Sequence, residues 1–150
     1  MKATTLLEHQ HRNLQELCDT VERGSAGMRA SLLPQLAGDL RAQIAVEEQV
    51  FYPAACEALH EETWLRSCHA YRAEARRSLD RALEAPIEGE EFASAIGELR
   101  GLLAQHAHEE KDVLFPRLEK VLDAGAMRRL GMSMMAFYDV EVESGRGGDS

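Results

Sequence analysis

Apolar residues recur at alternating steps of four and three along five stretches of the chain, which is the spacing of an amphipathic α-helix. The stretches cover residues 5–23, 32–59, 63–84, 91–122 and 126–142. The run GSAGMRAS at 24–31 breaks the pattern between the first two and offers Ser31 as an N-cap, residues 60–62 make a corner, and APIEGE at 85–90 makes a turn. Short connections force sequence neighbours to lie side by side. The predicted fold is therefore all-α: an antiparallel up-down-up-down four-helix bundle, with a short fifth C-terminal helix that packs outside the bundle or extends it. The bundle is expected to fill residues 1–142, and the polar, Gly-rich end at 143–150 to be a disordered tail.

The inward stripes break their own rule. Helix one presents Leu7, His11, Leu14, Cys18 and Val21. Helix two presents Leu36, Leu40, Gln43, Glu47, Val50 and Ala54, and helix four presents Phe92, Ile96, Leu99, Leu103, His106, Glu110 and Val113. Helix three has two competing stripes: Leu65, His69, Ala73 on one side, and Trp64, Cys68, Tyr71, Ala75, Leu79 on the other. An unpaired carboxylate or imidazole in a bundle core costs several kcal/mol, on the order of the whole stability of a domain. Two Glu and three His on such stripes need a partner, and a metal ion supplies one: imidazole nitrogens and carboxylate oxygens are ligands for iron, manganese or zinc. A His four residues before a Glu, as in His106 and Glu110, puts both on one helix face about 6 Å apart. Register agrees, because early positions on helices one and three of an antiparallel bundle meet late positions on helices two and four. All five residues are expected in one layer.

The chain also repeats itself. QIAVEEQVFYPA at 43–54 aligns with HAHEEKDVLFPR at 106–117, so that Glu47 matches Glu110, Tyr52 matches Phe115 and Pro53 matches Pro116. Each Pro falls inside a helix, where it removes a backbone hydrogen bond and bends the rod one to two turns after the Glu. Two copies of so costly a feature point to one duplicated helical hairpin.

Composition narrows the function. With 26 acidic against 17 basic residues the formal net charge is −9, and the basic ones are scattered, so a phosphate backbone is repelled and nucleic acid is not an expected partner. No apolar stretch has the length of a signal peptide or a membrane span, so no membrane association is expected. Three cysteines without a CxxC pair suit reduced thiols in a cytoplasm. Cys18 reads as core. His9 and His108 lie two residues from proposed ligands, about 200° around the helix, and read as solvated. Neither a Gly-rich phosphate cradle nor a Ser-His-Asp arrangement stands out.

At these residues the chain resembles the hemerythrin-like HHE cation-binding domain, over residues 6 to about 130. The pattern of that family is a His in helix one with a Leu three residues on, here His11 and Leu14. A His-Glu pair before an aromatic-Pro follows, then a lone His in helix three, then a second His-Glu pair before an aromatic-Pro. Matched by position, the resemblance implies His11, Glu47, His69, His106 and Glu110 as metal ligands, the two Glu bridging two irons per chain. Two departures weaken the oxygen-carrier reading. Gln43 stands where the family has the first His of a His-Glu pair, which leaves it a weaker amide ligand and one of the two ions poorer in ligands. Ala73 stands four residues after His69 where oxygen carriers have another His, and Glu110 replaces their Asp one residue further along.

The resemblance implies a cytoplasmic non-haem diiron protein that binds or reduces dioxygen, peroxide or nitric oxide, in oxygen or redox sensing or in stress protection. Two alternatives stay open. One is a metal-dependent sensor or interaction module, whose C-terminal helix, with its Met-rich run MSMMAFY at 132–138, contacts a protein partner. The other is a mononuclear iron, zinc or manganese protein without catalysis.

Overall fold

The computed structural model describes residues 1–148, and among them the regular structure is helical. Helix α1 spans Ala3–Arg23, α2 spans Ala26–Val46, α3 spans Tyr52–Leu59 and α4 spans Thr63–Glu84. Helix α5 spans Glu90–Glu109, α6 spans Phe115–Val121 and α7 spans Ala124–Gly148. Two single π-turns, Glu47–Phe51 and Glu110–Leu114, join α2 to α3 and α5 to α6, so each pair is one continuous rod. The bundle is thus α1, α2–α3, α4 and α5–α6, with α7 laid across α1 and α2.

Several ends differ from expectation. Helix α2 begins six residues earlier than the sequence pattern suggests, because Ser25, not Ser31, caps it: the Met28 N–H donates to Ser25 Oγ at 3.3 Å. The Arg29 guanidinium secures that turn, donating to the carbonyls of Val21, Glu22 and Ile87 at 3.1, 2.8 and 2.6 Å. At the corner after α3, His60 takes the left-handed conformation (φ 57°), and the Glu61 N–H reaches back to the Cys56 carbonyl. Helix α7 is longer than the 126–142 segment anticipated and takes in the first residues of the tail expected to be disordered; residues 149–150 of that tail lie outside the described residues. Gly131 lets α7 press on the N-terminus, since a Cβ there would sit 2.2 Å from the Met1 carbonyl oxygen.

The π-turns correct the inward stripes. In each, the Glu carbonyl accepts from a residue five positions on: Tyr52 N–H to Glu47, and Phe115 N–H to Glu110. Proline lacks the N–H that would continue the α ladder, and a widened turn absorbs that loss. One extra residue per turn advances the buried face by one position. Phe51 and Leu114 are therefore fully buried, where the four-and-three count pointed to Val50 and Val113; Val113 is 48% exposed. The bend expected one to two turns after each Glu is a widening that begins at the Glu itself.

Two apolar clusters fill the bundle. One gathers Cys18, Leu40, Phe92, Ile96 and Leu99 at the end holding the α1–α2 and α4–α5 turns. The other gathers Leu7, Phe51, Tyr52, Leu114 and Phe115 under α7. On α1 and on α5–α6, His11, His106 and Glu110 sit between the two clusters in sequence, and Glu47 lies where α2 passes from the first cluster into the second.

Candidate metal centre

Each of the four polar residues is held where it is by a stripe that is otherwise apolar. His11 lies between Leu7 and Leu14, and His106 follows Leu103, all five of these residues being on faces the bundle buries. Glu47 and Glu110 are the first residues of the two π-turns. The carboxylates are 1% exposed, and the imidazoles 6% and 7%.

Their donor atoms converge. His11 Nε2 is 3.1 Å from Glu47 Oε1 and 3.0 Å from Glu110 Oε1. His106 Nε2 is 3.2 Å from both Glu47 oxygens and from Glu110 Oε1. One N–H cannot serve several carboxylate oxygens at once, and Glu110 Oε1, despite these distances, accepts an aligned hydrogen bond from neither ring. Ligands bonded to one ion at 2.0–2.2 Å stand about 3.0–3.4 Å apart, so the separations are those of atoms arranged around a cation. All four groups can bring one ligand atom within 4.8 Å of every other. Two imidazoles and two carboxylates are a donor set for iron, manganese or zinc.

Electrostatics agree. Burial pulls the His11 imidazole down, but Glu110 and then Glu47 outweigh it and push it up to about 10. Burial and the Glu47 charge hold Glu110 above the usual carboxylate range, while the two imidazoles pull Glu47 below it in spite of burial. Without a cation, protons do its work.

Aromatic side chains fix these four groups. The Tyr52 O–H donates to Glu110 Oε2 at 3.1 Å, turning Oε1 toward the imidazoles. Tyr71 of α4 stacks on the His106 ring, with centroids 3.8 Å apart and planes 3° from parallel. Two cavities reach the centre: one of about 500 Å³ between α1 and α5 touches His11, and one of about 230 Å³ between α4 and α5 touches His106, Glu110, Tyr52 and Tyr71.

Two residues expected as ligands are elsewhere. His69 is exposed on α4, its Nδ1 2.9 Å from an Arg72 guanidinium nitrogen. The competing stripe turns inward instead, because Cys68, Ala75 and Leu79 bury apolar surface whereas the His69 side carries Ala73 and the charged Arg72 and Arg76. Gln43 is 1% exposed, one turn before Glu47, but it lines a third cavity between α1, α2 and α7 and neither end of its amide has a partner. The contacts of Tyr71 had no signal beyond that stripe, and Tyr52 stood out only as the counterpart of Phe115 in the internal repeat. As expected, His9 is exposed, and His108 is exposed with its Nε2 3.1 Å from Asp112. Cys18 is core, its thiol directed at the Ile96 carbonyl at 3.7 Å. Burial pushes the Cys68 thiol up, so it is a neutral packing group.

Comparison with known families turns on the same residues. The profile of the hemerythrin HHE cation binding domain matches residues 2–118, which include all four residues of the cluster. The chain belongs to that family. Among solved structures, a hemerythrin HHE cation binding domain-containing protein from Mycobacterium kansasii superposes with a TM-score of 0.81 at 22% identity, covering 96% of this chain and 89% of that one. The hemerythrin HHE fold is thus shared over nearly the whole length, α7 included. Among curated proteins, none matches the chain. No described helix is long and apolar enough to cross a membrane.

Proposed function

We propose that this hemerythrin HHE domain holds iron at His11, Glu47, His106 and Glu110 and binds or reduces a small ligand such as dioxygen, peroxide or nitric oxide, in oxygen or redox sensing or in stress protection. The observation that carries the reading is the convergence of two imidazole nitrogens with the carboxylate oxygens of both Glu at 3.0–3.2 Å in a buried layer. Iron in that layer supplies one-electron chemistry and coordination positions for a small ligand. The chain supplies the rest. The cavity between α4 and α5, about 230 Å³, admits molecules of a few atoms to the His106 and Glu110 edge. Tyr52 holds one oxygen of Glu110 away from the imidazoles.

Two irons per chain, sharing the two carboxylates, is the reading that the family likeness favours. The exposure of His69 and the Gln at position 43 favour a second one, a single iron, zinc or manganese ion held by the same four residues. Elemental analysis of protein purified without oxygen, beside the Gln43→His variant, separates them. Two irons in the native chain support the first reading; one metal that becomes two in Gln43→His supports the second. Absence of metal after anaerobic Fe(II) reconstitution sinks both.

A further inference from the structure

The two cavities that reach the metal centre differ in charge. The one between α1 and α5, about 500 Å³, carries Glu8, Glu16 and Asp19 against Arg12, Arg100 and Lys111, so its formal charges cancel. The one between α4 and α5, about 230 Å³, carries Glu74, Glu109 and Glu110 and neither Lys nor Arg. A divalent cation near the protein is drawn toward the second and gains nothing from the first.

Helical spacing sets the two outer carboxylates above the centre from either side. Glu109 lies three residues after His106 on α5, and Glu74 three residues after Tyr71 on α4. Each is therefore one turn from a member of the ring pair that stacks at 3.8 Å. Both carboxylates are exposed, and neither forms an ion pair among the described residues. The Gln105 amide donates to Glu109 Oε1 at 3.3 Å, a neutral partner that leaves the charge in place.

Exposed acids are common and mean little alone. These two stand at the mouth of a cavity whose inner wall is His106 and Glu110, and Glu110 Oε1 is buried there without an aligned partner. The Tyr71 ring lies flat on the His106 imidazole and lines the same cavity, so the inner end is closed to anything resting at the mouth. An ion held between Glu74 and Glu109 passes inward only when that ring turns aside.

We infer that the cavity between α4 and α5 is the route by which a divalent metal ion enters, with the Glu74 and Glu109 carboxylates gathering it at the mouth. The inference rests on the metal-binding reading above and adds the side from which the ion arrives.

The test follows Co(II) uptake by the full metal-free chain in stopped flow, through the visible absorption that the ion gains with imidazole and carboxylate ligands, and then its release into excess chelator. Glu74→Gln and Glu109→Gln should each slow uptake by about threefold, and the double variant by about tenfold, with the differences shrinking as salt screens the mouth. Release should slow by the same factors, because a group that eases passage acts in both directions, and occupancy at saturating Co(II) should not change. Glu16→Gln with Asp19→Asn removes the same amount of charge from the other cavity and should leave both rates as they are. Uptake indifferent to Glu74 and Glu109 overturns the inference, as does equal slowing by the Glu16 and Asp19 variant. Slower uptake with unchanged release and a matching loss of affinity overturns it too, since the carboxylates would then act on the bound ion and not on its passage. A parent chain that takes up no Co(II) at all sinks the metal reading and this inference together, and its flat final absorbance tells that outcome from the others.

Discussion

His11 and Cys18 lie two turns apart on one stripe of α1, yet the layers they enter differ in kind. Around Cys18 the neighbours are Leu40, Phe92, Ile96 and Leu99, and the thiol itself reaches the Ile96 carbonyl. That layer satisfies itself. Around His11 four ionisable groups face one another, and one carboxylate oxygen is left without an aligned partner. Packing alone accounts for the first layer, whereas the second is complete only with a cation. A single helical stripe can therefore alternate between parts of the core that are intrinsically stable and parts whose stability is conditional.

The sharpest way to break that contrast is to truncate one residue from each layer. Glu47→Ala removes a carboxylate that lies within 3.2 Å of both imidazoles and is expected to abolish metal retention, measured as metal per chain after desalting. Leu99→Ala should leave metal content unchanged while lowering unfolding free energy by about 2–5 kcal/mol, the range for a buried Leu that leaves a cavity. Equal metal retention by the two variants would erase the distinction.

Replacing all four polar groups by Leu (His11→Leu, Glu47→Leu, His106→Leu, Glu110→Leu) tests the same idea from the other side. Buried charges are often outdone by well-packed apolar residues, so the metal-free variant is expected to gain roughly 1–4 kcal/mol over the metal-free parent. Against the metal-loaded parent the advantage should vanish, because a ligand at a thousandfold its Kd adds about 4 kcal/mol. Chemical unfolding of the three species gives the comparison.

The pH response should separate the layers too. In the metal-free chain the His11 imidazole is raised from 6.5 to about 10, against the opposing effect of burial, by Glu110 and then Glu47. A folded value above the unfolded one means stability that is complete below about pH 6.5 and lost as the pH rises toward 10. Metal competes with that proton for Nε2, so loading should release protons near pH 7, and affinity should increase over the same window. Unfolding temperatures across pH 6 to 10, with proton release measured in dilute buffer, check both. A flat profile for the metal-free chain would contradict the arrangement around His11.

How much of this was readable from the residues follows from what each rod buries. The stripes of α1 and α5 carry their polar residues at uninterrupted helical spacing, so His11, His106 and Glu110 could be placed by counting. Counting failed past each Glu, because one extra residue in a π-turn is invisible to a period fixed in advance, although the paired Pro53 and Pro116 marked where the ladder would give. It left α4 undecided, since two stripes of similar apolar content compete there, and the outcome rests on tertiary contacts: Tyr71 stacks on His106, and Arg72 pairs with Glu48 on the outer side. His69 is lost to the site for that reason. The N-cap of α2 was misplaced because two serines six residues apart both fit, and only the contacts of Arg29 with the turn choose Ser25.

The smallest effect concerns the shell behind the ligands. Tyr52→Phe deletes a hydrogen bond of 3.1 Å to Glu110 Oε2 and leaves the ring in its cluster with Phe51. Freed of that restraint, the Glu110 carboxylate can rotate, and loss of such an outer-shell partner weakens metal binding by about 10–100-fold. The metal-free chain should lose about 1–3 kcal/mol of stability, since a buried acceptor loses its donor while the ring keeps its contacts. A chelator competition series on parent and variant measures the first effect, and unfolding of the metal-free proteins the second. If Tyr52→Phe instead leaves affinity unchanged, orientation of Glu110 is fixed by the π-turn backbone alone. The bond from the Phe115 N–H to the Glu110 carbonyl would then be the feature that aims the ligand.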